Sequence, residues 1–279
     1  MRWLDVAVNP HFPWPNVSVE FVIEGKKLVT QPRSDENTAS AVSVYDENGI
    51  TFEIGGGIVS RFLSRLAWSL DKGVAENFCA GSNHPAMPGR LGQGVWPCFN
   101  RMQNPPWGFL YLPLPQTPEA ALALALYREG LNLRPTSVPF SFLSFFKILN
   151  INHGKGREQV AWINNNLLNI KYDPELARLA YLRKNVADVG NYMYELGRCA
   201  VAHAHAAPTS NPDDYSDRKR LENDLELIKK LAAIAIENDF GVRSDSAFWE
   251  MMRQTNGKSP DLLRPVSRLD GTIRYEEAP

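Results

Sequence analysis

The sequence predicts an α+β protein with a β-rich N-terminal part followed by an all-α C-terminal helical bundle. Three observations carry this reading. Short alternating runs of β-branched and polar residues extend to about Ile54, and a stretch dense in Gly, Pro, Asn and Trp fills Gly73 to Leu114. Beyond Pro113, helix start signals recur at intervals. The expected organisation is a β-rich domain over 1–114, a helical bundle over 115–256 and a polar, Pro-punctuated, mobile tail over 257–279.

In the first part, VSVEFVIEG and KKLVTQ read as paired strands across a Gly-containing turn, and AVSVY and ITFEI as strands flanking Asp46-Glu47-Asn48-Gly49. Gly55-Gly56-Gly57 reads as a strand-to-helix turn. It lacks both the Lys-Ser/Thr ending of a P-loop and the spacing of a dinucleotide fingerprint. An amphipathic helix follows, with Ile58, Phe62, Leu66 and Leu70 on one face. The connecting segment, with Trp96, Trp107, Phe109 and Tyr111, is expected to pack through its aromatics.

In the second part, Thr117-Pro118-Glu119 and Asp173-Pro174-Glu175 each supply a cap, an N1 proline and an early acid. SFLSFFKILNI, EQVAWINNNLL, ADVGNYMYELGRCAVAHAHA and SDRKRLENDLELIKKLAAIAIENDF supply further helices. Leu221, Leu225, Ile228, Ala232 and Ile236 form an apolar stripe on the last, as a bundle member requires. Phe142, Phe145 and Phe146 read as core rather than as base-stacking rings.

The 279 residues are 44% hydrophobic and 22% charged, an ordinary globular composition, and carry a net charge of −1. No global field draws such a chain to nucleic acid, so any RNA contact rests on a local patch. The opening MRWLDVAVNPHFPWP lacks the apolar core of a signal peptide, and no segment offers the roughly 18 apolar residues of a membrane span. The expectation is a cytoplasmic protein with no membrane partner. Cys79, Cys98 and Cys199 are odd in number and without a CxxC pair, which fits reduced thiols.

Chemistry concentrates in Arg198-Cys199-Ala200-Val201-Ala202-His203. A guanidinium holds phosphate oxygens in a planar fork, and a neutral imidazole can take the proton of a ribose 2′-hydroxyl. Residues five apart on an ideal helix point about 140° away from each other. A local break, favoured by Gly197 and Pro208, or a second copy of the chain would bring such groups around one phosphate. Arg198 could instead pair with Glu195 one turn earlier, a purely structural role. His203 and His205 lie about 200° apart on a helix and come with no HExxH or CxxC motif, so no metal and no cofactor are expected. His153-Gly154-Lys155-Gly156-Arg157 could meet phosphate but reads first as an interhelical loop. In DRKRLENDLELIKK, only Arg218, Lys219 and Arg220 form a basic run.

Arg198 to His203 resembles the Rx4-6H motif of HEPN (higher eukaryotes and prokaryotes nucleotide-binding) domains. Over roughly Thr117 to Asp239 the chain is similar to that family, with ALYREGLNLRPTSVPFSFLSFFKILNI resembling the helical pair before the motif helix. The resemblance implies an antiparallel helical bundle, usually a homodimer, and a metal-independent endoribonuclease of toxin–antitoxin or antiviral systems. Its partners would be RNA and a protein such as an antitoxin. Arg198 would then bind the scissile phosphate and His203 act as general base or acid, with Cys199, Glu195 and His205 around them. Family members commonly carry Asn, Asp or His after the Arg, where this chain has Cys199. A non-catalytic HEPN scaffold is the alternative. The whole-chain layout, including FLSRLAW, also resembles proteins labelled methylamine-utilisation protein MauJ, which implies an accessory role in methylamine metabolism.

Overall fold

Strands of an eight-stranded sheet and a series of packed helices make up this mixed α and β chain, an N-terminal sheet followed by a helical region. The computed structural model describes residues 1–33, 39–83, 102–103, 107, 110–171, 173–204, 208–255 and 258–277. The chain forms two compact units, Met1–Leu114 with Asp245–Pro279, and Pro115–Ser244.

In the first unit, β1 (Trp3–Pro10), β3 (Val19–Ile23), β4 (Lys26–Gln31), β5 (Ser40–Tyr45) and β6 (Val74–Ser82) join with β8 (Leu110–Tyr111), β9 (Leu262–Ser267) and β10 (Ile273–Glu277). Their order is β6-β1-β5-β4-β3-β10-β9-β8, and β2 (Trp14–Pro15) pairs separately with β7 (Met102–Gln103). The β3–β4 hairpin closes through Glu24 and Gly25, both at positive φ (52° and 71°), the backbone that a tight two-residue turn demands.

The closing segment is not a tail. β9 and β10 form a hairpin, and β10 runs parallel to β3. Composition hides this because one buried ring does the anchoring. Tyr275 stacks on Phe21 with centroids 4.9 Å apart, and its hydroxyl donates to the Trp107 carbonyl at 2.6 Å. Burial pushes that phenol well above its ordinary pKa.

A second difference concerns ITFEI and the three glycines. Instead of a strand and a turn, Thr51 caps α1 (Phe52–Leu70), its hydroxyl accepting from the Ile54 amide at 3.2 Å, and Glu53 occupies the first turn. Gly55 lies inside the helix because a Cβ there would fall 2.6 Å from Leu4 Cδ2 and 3.2 Å from Val44 Cγ1. The glycine lets the helix backbone approach the sheet. Ile58, Phe62 and Leu66 are buried as their spacing predicts.

The second unit contains α2 (Pro118–Leu133), α3 (Val138–Asn152), α4 (Gly156–Asn166), α5 (Asp173–Asn185), α6 (Val189–Tyr192), α7 (Ala200–Ala202) and α8 (Tyr215–Asn238). Between α6 and α7, Met193–Cys199 winds as a π-helix. Thr117 caps α2 by accepting from Ala120 N at 3.1 Å, and Asp214 caps α8 by accepting from Ser216 N at 2.7 Å. Helix α3 packs against both α2 and α8. Phe142, Phe145 and Phe146 are fully buried there, as are Leu221, Ile228, Ala232 and Ile236 of α8. The remaining helix, α9 (Asp245–Gln254), belongs to the first unit, where Phe248 stacks on Tyr111 at 4.0 Å.

Candidate functional site

The motif helix changes its winding where the candidate residues lie. Gly197 explains how this is tolerated, since a Cβ there would come within 2.4 Å of the Phe142 ring. The wide π turn therefore packs its backbone directly against α3, and π-helical insertions of this kind are frequent at functional sites. After one short turn, α7 ends at His203, whose backbone is extended (φ −128°, ψ 129°). Ser210 N then returns to bond the Ala200 carbonyl at 2.9 Å.

This break brings together what an ideal helix would hold apart. Arg198 Nη1 lies 3.1 Å from His203 Nε2. A guanidinium can only donate, so in this contact Nε2 is the acceptor. The same Nη1 also donates to Cys199 Sγ at 3.7 Å, and the Tyr194 ring flanks the guanidinium at 5.8 Å. The Tyr194 hydroxyl is held above its ordinary pKa, first by its hydrogen bond with Cys199 and then by burial. His203 is exposed and Arg198 half-buried, so both are accessible to a ligand.

Arg198 thus bonds to His203 and Cys199 rather than to Glu195, whose backbone carbonyl accepts from Ala200 N in the π turn. Cys199 is a free thiol. His205, Cys98, Trp96 and Phe109 lie outside the described residues. Of the His153–Arg157 segment, His153 to Lys155 join α3 to α4 while Gly156 and Arg157 open α4, and a Cβ on Gly156 would meet the Tyr194 ring at 2.5 Å. Tyr194 itself could have been found from its i, i+4 spacing to Arg198.

Residues 123–237 match the family model described as methylamine utilization protein MauJ. The MauJ-like segment contains α3, the π-helix, Arg198, His203 and nearly all of α8. No curated protein and no solved structure matches the chain.

Within the MauJ-like segment a second polar group escaped the sequence reading. Asp224, on the buried face of α8, is 1% exposed and accepts from Arg178 Nε at 2.7 Å and from the Tyr192 hydroxyl at 2.8 Å. Arg178 Nη2 also reaches that hydroxyl, at 3.2 Å. Burial raises the Asp224 carboxyl above the usual carboxylate range against the opposing pull of Arg178 and Tyr192, and burial carries the Tyr192 phenol up to about 12. The available signal was an acid between Leu221 and Ile228 on an otherwise apolar stripe. Arg220, from the basic run, ties α8 to the π-helix by donating to the Leu196 carbonyl, and pairs with Asp217 at 3.2 Å. Among the described residues no helix is long and apolar enough to cross a membrane, and no group of three or more His, Cys, Asp or Glu is placed to hold a metal ion.

Proposed function

We propose that the chain is a HEPN-type endoribonuclease that cleaves RNA at the Arg198–His203 pair by attack of the ribose 2′-hydroxyl. The observation that carries this reading is the 3.1 Å approach of Arg198 Nη1 to His203 Nε2 at the surface end of a π-wound helix. In the resting arrangement the Nε2 lone pair is taken by the guanidinium. An incoming phosphodiester draws Arg198 onto its non-bridging oxygens, where the planar fork binds best, and this releases Nε2. His203 then accepts the 2′-hydroxyl proton as the 2′-oxygen bonds to phosphorus and the P–O5′ bond breaks. The products are a 2′,3′-cyclic phosphate and a 5′-hydroxyl. The proton for the leaving oxygen comes from a second His203 in its imidazolium form, turned away from its own Arg198 and supplied by another copy of the chain across a two-fold axis. That imidazole is recharged with a proton from water after each turnover. Cys199 and Tyr194 hold the guanidinium in place until substrate arrives.

The test is cleavage of single-stranded RNA by the full chain in the presence of a chelator, with end-group analysis. Wild-type protein should yield cyclic-phosphate ends, and His203→Ala should lose cleavage by at least about a hundredfold, the lower bound for a general base. Cleavage by His203→Ala at the wild-type rate, or dependence on added magnesium, would overturn the reading. A second reading, an accessory role in methylamine metabolism, is favoured by the match of residues 123–237 to the MauJ family. Loss of growth on methylamine after disruption of the gene, with no RNA cleavage in vitro, supports it instead.

A further inference from the structure

A second cleft in the helical unit has a lining that RNA cleavage at His203 does not use. It lies between α5, α6 and the first turns of α8, with a volume of about 490 Å³. Arg178, Lys219 and Arg220 line it together with Tyr181, Tyr192 and Tyr215. Among the described residues no carboxylate lines it, although the chain as a whole is nearly neutral. Three cations and three phenol rings converge on one concavity.

The rings differ in their task. Tyr192 is tied to Asp224 and Arg178, whereas Tyr181 and Tyr215 are 55% and 70% exposed. Exposed aromatic rings beside cationic side chains are the kind of surface on which nucleobases stack regardless of sequence. Guanidinium groups already lie over both rings, Arg178 over Tyr181 at 4.9 Å and Arg218 over Tyr215 at 6.0 Å. A base laid on either ring would place its phosphate among the cations.

Each of the three cations has a carboxylate partner, Arg178 in Asp224, Lys219 in Glu222 and Arg220 in Asp217, so a phosphate would share or displace these pairs. Arg178 is fixed by Asp224 and Tyr192 through Nε and Nη2, leaving Nη1 outside those two bonds. Asp224 therefore orients the guanidinium, as a buried acid orients a phosphate-binding Arg. Lys219 makes an exposed i, i+3 pair with Glu222 at 3.3 Å, an interaction weak enough to yield to a phosphate.

We infer that this α5–α6–α8 cleft binds a nucleoside phosphate, with the phosphate on Arg178, Lys219 and Arg220 and the base stacked on Tyr181 or Tyr215. The phosphate comes either from a free nucleotide or from one residue of a single-stranded RNA. The inference does not rest on cleavage at His203.

Equilibrium binding to the full chain tests it with three probes at low salt: adenosine 5′-monophosphate, inorganic phosphate and a fluorescein-labelled ten-residue 2′-O-methyl oligoadenylate that cannot be cleaved. Tyr181→Ala, Tyr215→Ala and Lys219→Ala alter exposed or half-exposed side chains, and their melting temperatures serve as the folding control. The two tyrosine variants are expected to weaken binding by about fivefold to a hundredfold, the range that base–aromatic stacking sets, and Lys219→Ala to weaken it in a way that fades as salt is raised. Tyrosine-dependent binding of the mononucleotide identifies a free nucleotide as the source, and tyrosine-dependent binding of the oligomer alone identifies the RNA strand. His203→Ala should leave mononucleotide affinity unchanged, so failure of the nuclease reading and failure of this one are separable. Absence of binding by both adenylate probes, unchanged affinity in all three folded variants, or phosphate bound as tightly as the mononucleotide would overturn the inference.

Discussion

Arg198 and His203 are five residues apart in sequence and 3.1 Å apart through their side-chain nitrogens, with the same Arg198 nitrogen also reaching Cys199. An ideal helix could not achieve this. Replacing Arg198 by Lys keeps the charge but gives up the planar fork, so RNA cleavage should fall nearly as far as in His203→Ala. The melting temperature should move by only a few degrees, since both side chains are partly exposed. Rates and melting curves measured side by side check this, and full activity in Arg198→Lys would show that the fork has no role.

Two adjacent glycines of α1 should respond with opposite signs. At Gly55 an added Cβ meets Leu4 at 2.6 Å, whereas at Gly56 nothing lies within 4 Å. Gly55→Ala should therefore cost about 1–3 kcal/mol through overpacking. Gly56→Ala should stabilise by up to about 1 kcal/mol, because alanine has less backbone freedom to lose in a helix. Denaturant midpoints of the two variants decide it.

Gly197→Ala should loosen the seat of the candidate site. The new methyl group would meet Phe142 at 2.4 Å, so about 1–3 kcal/mol of stability should be lost. Phe142→Leu in the same chain should recover part of it by vacating ring volume. Equal stability of Gly197→Ala and wild type would mean that the π turn does not depend on this close approach.

Breaking the buried pair between α5 and α8 should cost more than Gly55→Ala or Gly197→Ala. Asp224→Ala leaves Arg178, whose side chain is 16% exposed, without its carboxylate, and a loss of about 3–5 kcal/mol is expected. Chemical denaturation measures it, and a loss below about 1 kcal/mol would show that water replaces the carboxylate.

Stability should also depend on pH through Asp5, which faces Ser43 across the β1–β5 ladder and accepts its hydroxyl at 2.5 Å. Burial raises the Asp5 carboxyl above the usual carboxylate range, outweighing that hydrogen bond. The folded state then binds more protons than the unfolded state between the ordinary carboxylate pKa and the raised one. Stability contributed by protonated Asp5 is present below this window and falls as pH rises through it. Asp5→Asn keeps the acceptor oxygen and removes the charge, so its stability advantage over wild type should grow from acid toward neutral pH. A difference in unfolding free energy that stays constant over that range would place the titration elsewhere.

Local signals were legible wherever one residue's chemistry fixes one backbone feature. Thr117 and Pro118 announce α2, the stripe from Leu221 to Ile236 announces the buried face of α8, and Arg198 with His203 announces the candidate chemistry. Each depends on neighbours within about two turns, which periodicity and capping encode directly. The features that needed the folded chain all join residues distant in sequence. The glycines from 55 to 57 look like a turn until Leu4 and Val44 show why a helix needs Gly55 in that place. The closing hairpin looks like a tail until Phe21, more than two hundred residues away in sequence, offers Tyr275 a ring to stack on. The Arg178–Asp224–Tyr192 group exists only because three helices converge. The π turn that closes Arg198 onto His203 is accommodated because Phe142 meets a glycine. Packing between distant segments set these geometries, since close-packed interiors admit few alternatives and local propensity carries no record of which partner will arrive.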